Sequence, residues 1–256
     1  MGLLLLVLVG SIVATFTISF NEITAKLIQV VASRYFITAY VTTIKVGFTV
    51  VILTAILSYP LAIYGRFKSP RIKGFFDVIV FLPLMVNPLI RAFGWMIILG
   101  KEGLLNSLLV KFNIISEPVR ILYSDVAVEL GLTELFLPFM YLAISSALEN
   151  IPEEYIMAAQ SLGAGTLRTF LDIVFPLSIA GFITGTAIVM AGCAAAFVTP
   201  SILGGLRVKT LSVLLREYVD ILPDWTAATI IALTILGTVT LVIVGLNLVK
   251  RVIARW

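Results

Sequence analysis

The chain has 256 residues, of which 60% are hydrophobic and 12% are charged, about half the charged share of an ordinary soluble domain. Its mean hydropathy of +1.12 indicates more apolar side chains than one core in water can bury. Lipid is the natural solvent for the remaining apolar side chains. With no histidine and one cysteine, the chain cannot form a Ser/His/Asp triad, a Cys/His pair, an internal disulfide or a His/Cys metal cluster. The net charge of +4 comes from scattered basic residues, which is typical of membrane topology signals and excludes nucleic acid as a partner.

Six apolar runs are long enough, at roughly 20 residues, to cross a bilayer as helices. The first run has no basic leader and no small-residue cleavage site, so we interpret it as a span and not as a secretory signal. The chain is therefore predicted to be an all-α integral membrane protein, with a first helix and an external segment in residues 1–39 and a core in residues 40–256. The predicted spans are Gly2–Phe20, Tyr40–Tyr64, Phe75–Leu99, Val126–Leu148, Ile173–Thr199 and Thr226–Val249.

Basic residues predict the orientation of the chain in the membrane. Six spans place both termini on one side, together with the loop Gly65–Gly74 and the segment Glu149–Asp172. Total counts of basic residues on the two sides do not decide the orientation. The short loop Gly65–Gly74, however, holds four cations and no acid, and the tail after the last span holds three more. This density predicts that both termini are cytoplasmic.

The segment 149–172, between the fourth and fifth predicted spans, carries the strongest local pattern. Pro-Glu at 152–153 suits the first turn of a helix, and the glycines at 163 and 165 suit its end. The pattern predicts two short helices around a glycine turn. The pair Ala158–Ala159 removes side-chain bulk, which would let another surface approach this helix closely.

The spacing in and after this segment is Ala158–Ala159, three residues, Gly163, nine residues, Ile173, two residues, Pro176. It resembles the EAA loop of binding-protein-dependent ABC importer permeases, which implies that the segment couples the chain to an ATPase; we therefore name residues 149–172 the coupling loop. The glutamate of that motif falls on Met157 here, and the aspartate frequent in the polyamine branch falls on Ser161. By this resemblance, the residues that couple the chain to an ATPase are expected to be Glu154, Met157, Ala158, Ala159, Gly163, Ile173 and Pro176, although Glu154 lies beside the motif's acidic position and not at it.

The resemblance covers most of the chain from Tyr40 onward, and it is closest to the spermidine/putrescine branch, particularly the first of its two permease subunits. The matching segments are Leu82–Pro83, Pro88–Trp95, Gly103–Asn106, Leu137–Met140, Leu203–Gly205 and Asp224–Trp225. It implies a type I ABC importer permease fold of six transmembrane helices in a bacterial inner membrane, with cytoplasmic coupling helices between helices 4 and 5. It also implies a second permease, two copies of a cytoplasmic ATPase that holds ATP and Mg, and an extracytoplasmic solute-binding protein.

The resemblance further implies alternating-access import of a small polar organic solute, most closely a polyamine. The sequence contains no G-x-x-x-x-G-K-[ST] motif, so this chain is expected to hold no nucleotide, metal or catalytic residue of its own. Import of another small solute is one alternative. A secondary transporter or channel driven without an ATPase is another, and a membrane enzyme is disfavoured because the chain lacks clustered catalytic groups.

Two charges lie well inside predicted spans. Arg91 and Glu134 fall about 12 Å below the same membrane surface, so they could pair across adjacent helices. The pair could be structural, or it could be a lining that attracts cations. Arg91, Trp95, Glu134 and Phe197 are the predicted pathway and gate residues, with Phe197 placed near an external gate by the resemblance alone; a packing or lipid-facing role remains open for it.

Prolines and glycines predict local features within the spans. Proline removes a helix hydrogen bond, so kinks are predicted at positions 60, 83, 88 and 138, with Asn87–Pro88 the sharpest break. The glycines at 181, 185 and 192 predict a face suited to close helix contact, with a pore lining as the other interpretation.

Overall fold

The computed structural model describes residues 20–67 and 70–253, and every regular element in those residues is helical. The predicted span Gly2–Phe20 lies outside the described residues except for Phe20. The helices are α1 (Phe20–Ala32), α2 (Arg34–Phe67), α3 (Pro70–Phe81), α4 (Pro88–Leu99), α5 (Leu104–Lys111), α6 (Asp125–Glu149), α7 (Glu153–Ser161), α8 (Thr166–Thr169), α9 (Phe175–Ala195), α10 (Leu211–Asp220) and α11 (Trp225–Ile253).

Five stretches of the described chain are long and apolar enough to cross a membrane. Four of them overlap the second, fourth, fifth and sixth predicted spans, with ends shifted by a few residues. The stretch that overlaps the second predicted span begins earlier than predicted, so position 40 falls inside α2. The remaining stretch, Pro88–Lys111, consists of two helices, α4 and α5, and only its first part overlaps the predicted third span. The five are Arg34–Arg66, Pro88–Lys111, Asp125–Glu149, Thr166–Ala195 and Trp225–Leu248.

The predicted third span, Phe75–Leu99, is wrong as a continuous helix. A 3-10 turn at Leu82–Met85 and an extended step at Val86 separate α3 from α4. Pro83 and Pro88 have no N–H to continue the helical ladder, and the side chain of Asn87 accepts a hydrogen bond from the Leu89 N–H at 2.9 Å, which starts α4 as a new helix. The break predicted at Asn87–Pro88 is thus confirmed, whereas Pro60 and Pro138 lie inside uninterrupted helices.

The core is built around α6, which packs against α2 on one side and α9 on the other. Its fully buried side chains include Leu132, Met140 and Ile144. The glycine face of α9 meets α6 so closely that a Cβ at Gly181 would lie 2.5 Å from the Ala143 carbonyl oxygen. Similar contacts occur at the other two glycines, so the predicted close helix packing is confirmed.

A second apolar cluster joins α1, the start of α2, α10 and α11 at the end of the bundle opposite the coupling loop. Phe36, Leu211 and Ile231 are buried in it. An ion pair between Lys26 and Asp224, at 2.7 Å, fastens α1 to the start of α11.

The Lys26–Asp224 pair predicts how the attachment of α1 depends on pH. Burial would raise the pKa of Asp224, but hydrogen bonds from Lys26 and from the Ala227 and Thr226 N–H groups outweigh it and hold the pKa below its usual range. Because the folded-state pKa is lowered, the stabilisation is present above the unfolded-state value and is lost as the pH falls through the folded-state value. We expect protease protection of α1 to be unchanged from pH 7 to pH 5 and to fall only at more acidic pH. In Asp224→Asn, protection should already be reduced at pH 7; equal protection in both proteins would contradict the prediction.

Candidate functional site: the coupling loop and an intramembrane polar cluster

The coupling loop places a short, exposed helix at one end of the bundle. α7 starts after Pro152, and the exposure of its side chains differs sharply from residue to residue. Ala159 is turned into the bundle and is buried, whereas Ala158 and Glu154 are exposed and Met157 is 56% exposed. The two alanines therefore do not share a face: only Ala158 is available to another surface.

The turn after α7 requires glycine. Gly163 has a φ of +82°, the left-handed region that side chains with a Cβ rarely adopt. The Ala164 N–H donates to the Ala159 carbonyl at 3.0 Å, and the Gly163 N–H donates to the Gln160 carbonyl at 2.9 Å. These two bonds form a Schellman motif, which satisfies the last carbonyls of α7. The predicted glycine turn is confirmed.

The base of the coupling loop is fastened to the bundle. The Arg66 guanidinium donates to the Ile151 carbonyl, and Lys73 forms an ion pair with Glu149. Arg66 lies near the end of α2 and Lys73 lies in α3, so the two contacts join residues 149–151 to both sides of the α2–α3 turn. The start of the coupling loop is therefore connected to α2 and α3 as well as to α6.

On its other side, the coupling loop continues directly into a membrane-spanning helix. A π turn at Phe170–Val174 joins α8 to α9, with the Phe175 N–H donating to the Phe170 carbonyl. Ile173 lies in this turn, half-buried, and Pro176 lies one residue into α9, exposed. Pro176 has no N–H to continue the ordinary ladder, and the π turn lies directly before it. α8 and α9 thus form one connected rod.

A cavity of about 740 Å³ lies beneath α7, between this helix, α2 and the α8–α9 rod. Tyr59, Met157 and Phe170 are among its mainly apolar lining residues, and Glu153 and Gln160 contribute polar groups. Sequence reasoning missed this cavity, because no local pattern shows how α2 packs against a segment about a hundred residues away.

The polar cluster inside the bundle contains three of the four predicted pathway residues. The Arg91 Nε and Glu134 Oε2 atoms lie 3.5 Å apart, and the Trp95 indole N–H donates to the same Oε2 at 2.7 Å. The Arg91 side chain is only 7% exposed and that of Glu134 25% exposed. Arg91 Nη1 also donates to the Pro83 carbonyl at 3.1 Å. The structure brings Arg91 and Glu134 together as their shared depth predicted.

Phe197 has a different environment. The Arg216 guanidinium of α10 lies 4.4 Å from the centre of its ring, a cation–π contact. Arg216 also pairs with Asp220 on the same helix. Sequence reasoning missed Arg216, since nothing in the local sequence connects it with a phenylalanine nineteen positions earlier.

Similarity to known proteins identifies the family of this chain. The family described as "Binding-protein-dependent transport system inner membrane component" matches residues 54–254. This chain belongs to that family. It is 34% identical over 187 residues to the spermidine/putrescine transport system permease protein PotB of Haemophilus influenzae, covering 72% of this chain and 65% of that protein. For PotB of Escherichia coli the identity is 32% over 182 residues, covering 70% and 66%. The matches span just under two thirds of the length of these relatives.

Solved structures have the expected fold. A chain of a bacterial ABC transporter involved in alginate import superposes with a TM-score of 0.71 at 16% identity, covering 97% of the present chain and 95% of the solved one. A chain of the MetNI methionine ABC transporter, in inward-facing conformations, gives a TM-score of 0.63 at 18% identity, covering 86% and 99%. The predicted ABC importer permease fold is confirmed.

The polar cluster of the permease yields a prediction about assembly. Arg91→Met would leave the Glu134 carboxylate inside the bundle without its cation and would remove one of the two donors to the Pro83 carbonyl. Breaking such a buried pair costs about 3–5 kcal/mol. Glu134→Gln should be milder, since the glutamine oxygen can still accept from both Trp95 and Arg91.

We therefore expect a several-fold loss of folded Arg91→Met permease and a smaller loss for Glu134→Gln, measured as monodisperse protein extracted in detergent. If both variants accumulate at the level of the unaltered chain, the cluster does not stabilise the fold.

Proposed function

We propose that this chain is a membrane-spanning permease subunit of an ATP-driven importer and that it forms part of the pathway for a polyamine. The observation that carries the proposal is the coupling loop: α7 projects from the bundle with an exposed face, while its base is fastened to α2 and α3 and its far end continues into α9. Such an element can pass movement from an outside protein to several spans at once. The relatives named for spermidine and putrescine transport support the choice of solute.

The proposed partners follow from the same arrangement. Two copies of a cytoplasmic ATPase would hold ATP and Mg, and one of them would contact α7 through Ala158, Glu154 and Met157. A second permease would complete the pathway, and a solute-binding protein would deliver the solute from outside. The cation-rich Gly65–Gly74 loop lies at the same end as the coupling loop, which supports placing that end and both termini in the cytoplasm.

The proposed mechanism is alternating access. When the ATPase dimer closes on ATP, the α7 contact moves; the Arg66–Ile151 and Lys73–Glu149 contacts carry this movement to α2 and α3, and the α8–α9 rod carries it through the bundle. The pathway would open inward at rest and outward when the ATPases close. Met157 occupies the position of the motif's glutamate, so here the ATPase would meet an apolar side chain in place of an acid.

The proposal is tested by reconstitution in vesicles. Spermidine uptake should require this chain, the second permease, the ATPase, the binding protein and ATP together. Removing the ATPase should abolish uptake; flux through this chain alone would instead establish a channel or secondary transporter. Uptake of a different small solute, with no spermidine uptake, would retain the importer class and replace the polyamine.

The docking surface is tested separately by cross-linking in a Cys193→Ser background. Ala158→Cys, on the exposed face of α7, should cross-link to the ATPase subunit. Ala159→Cys is the matched control, because that position is buried and should not react. Equal cross-linking at both positions, or none at Ala158, would contradict the proposed contact.

A further inference from the structure

The break between α3 and α4 lies beside the middle of α6, a helix long enough to cross a membrane. Before the break, Asp77 accepts a hydrogen bond from the Tyr141 hydroxyl at 2.6 Å; after it, Arg91 pairs with Glu134. Tyr141 is eight residues, about 12 Å, from one end of α6, and Glu134 is nine residues, about 14 Å, from the other end. Residues 82–87, the 3-10 turn and the extended step after it, are thus held between two levels that both lie well inside the length of α6.

The break leaves backbone acceptors without donors. The Val86 N–H donates to the Pro83 carbonyl at 3.2 Å, and the Leu89 N–H donates to the Asn87 side chain. Pro88 has no N–H to offer. In residues 20–67 and 70–253, no hydrogen bond is donated to the carbonyl oxygens at positions 84, 85 and 86.

These acceptors cannot face lipid. Non-helical backbone at membrane depth is tolerated only where protein buries it or where it lines a water-filled cavity. The segment is exposed in this chain, with Met85 90% exposed. Either a second protein or water must therefore cover it.

Neighbouring atoms favour water. Arg91 connects the break to Glu134 by donating to the Pro83 carbonyl and pairing with Oε2. Its Nη2 atom is buried without a partner in the described chain, and no described group donates to Glu134 Oε1. Unpaired donors and acceptors around one guanidinium are the setting in which ordered water binds, whereas a dry apolar helix interface would leave them all unsatisfied.

We propose that residues 82–87 line a water-filled pathway halfway across the membrane, and that the carbonyl oxygens of Leu84, Met85 and Val86 bind the ammonium groups of an organic cation in transit. The nature of the cation rests on the proposed function. An ammonium group offers N–H donors to the carbonyls that water otherwise occupies, and the carbonyl-rich end of α3 favours positive charge. Arg91 does not repel the cation strongly, because Glu134 balances its charge.

The test uses cysteine accessibility in the complete importer, reconstituted in vesicles, with Cys193→Ser as the background. Met85→Cys should react with a cationic, membrane-impermeant methanethiosulfonate reagent supplied to the side toward which the resting pathway opens. Saturating spermidine should slow this reaction at least several-fold. Val86→Cys provides a second variant if the first does not assemble. Leu241→Cys is the matched control: it is 74% exposed, on the α11 span, and should stay unlabelled.

Three results would overturn the proposal. Labelling of the isolated chain but not of the complete importer would mean that a partner protein covers the break. Absence of labelling in both would mean that water does not reach it. Labelling that spermidine fails to slow, in vesicles that import spermidine, would mean that the carbonyls do not bind the cation. Labelling without spermidine tests only whether water reaches residues 82–87, and the uptake assay tests the proposed function. A failure of the proposed pathway lining can therefore be distinguished from a failure of the proposed function.

Discussion

Gly163→Val is expected to uncouple ATP hydrolysis from solute uptake. The φ of +82° at Gly163 is strained for any residue with a Cβ, at a cost of order 1–3 kcal/mol, and a β-branched side chain is among the least suited to it. No atom lies within 4 Å of the position a Cβ would take, so the effect comes from the backbone and not from a clash. A cost of one or two kcal/mol shifts the population of the turn by a factor of roughly 5–30.

Loss of this turn would break the Schellman bonds that Gly163 and Ala164 donate to the end of α7, so that movement of α7 would no longer pass through the turn to α8 and α9. We expect ATP-driven uptake in vesicles to fall about tenfold or more, while the assembled complex still hydrolyses ATP. Gly165→Ala is the matched control: this glycine has an ordinary φ of −70° and open space around it, and uptake should be unchanged. Unchanged uptake and ATPase stimulation in Gly163→Val would refute the role of the coupling loop.

Gly181→Val is expected to reduce the amount of folded permease. A Cβ at Gly181 would lie 2.5 Å from the Ala143 carbonyl oxygen and 2.5 Å from the Ala147 Cβ, so α6 and α9 would have to separate. Neither atom belongs to a flexible side chain that could turn aside. Overpacking of this kind costs about 1–3 kcal/mol, and a branched side chain at a backbone contact belongs at the upper end. The measurement is the thermal unfolding midpoint of the purified permease in detergent.

Two glycines serve as controls for this prediction. Gly245→Ala, on α11, has nothing within 4 Å of the new Cβ and should leave the unfolding midpoint unchanged. Gly185→Ala meets the Met140 sulfur at 2.5 Å, but a thioether can move, so its effect should be intermediate. If Gly181→Val and Gly245→Ala unfold at the same temperature, α6 and α9 are not in the close contact described above.

Predictions from local sequence were successful where the backbone itself sets the structure. The glycine turn at 163 and the break at Asn87–Pro88 follow from the conformational freedom of glycine and the missing N–H of proline, which act whatever the neighbours are. Extending one helix through Phe75–Leu99 failed because hydropathy reports apolar length and not continuity. Pro60 shows the converse, since α2 continues as a helix through this proline.

Side-chain partners were predicted less completely. Equal depth in the membrane predicted that Arg91 and Glu134 lie together. It did not predict the contacts of this pair with the Trp95 indole and the Pro83 carbonyl, which depend on how α4 and the break pack against α6. The sequence predicted that both alanines of α7 would be available to another surface. In the structure Ala159 is buried against the bundle and only Ala158 is exposed. Rotation of a short helix about its axis depends on what lies beneath it.

The sequence by itself determined that this chain is a membrane protein, that residues 158–176 resemble the EAA loop of ABC importer permeases with a glycine turn, and that it contains no G-x-x-x-x-G-K-[ST] motif, because composition and backbone chemistry are local properties. The tertiary structure alone decided how α7 is fastened to α2 and α3, which atoms surround the Arg91 guanidinium, and where the carbonyls of the broken helix are left without donors. Those features arise between segments distant in the chain, and their geometry is fixed only once the helices have packed.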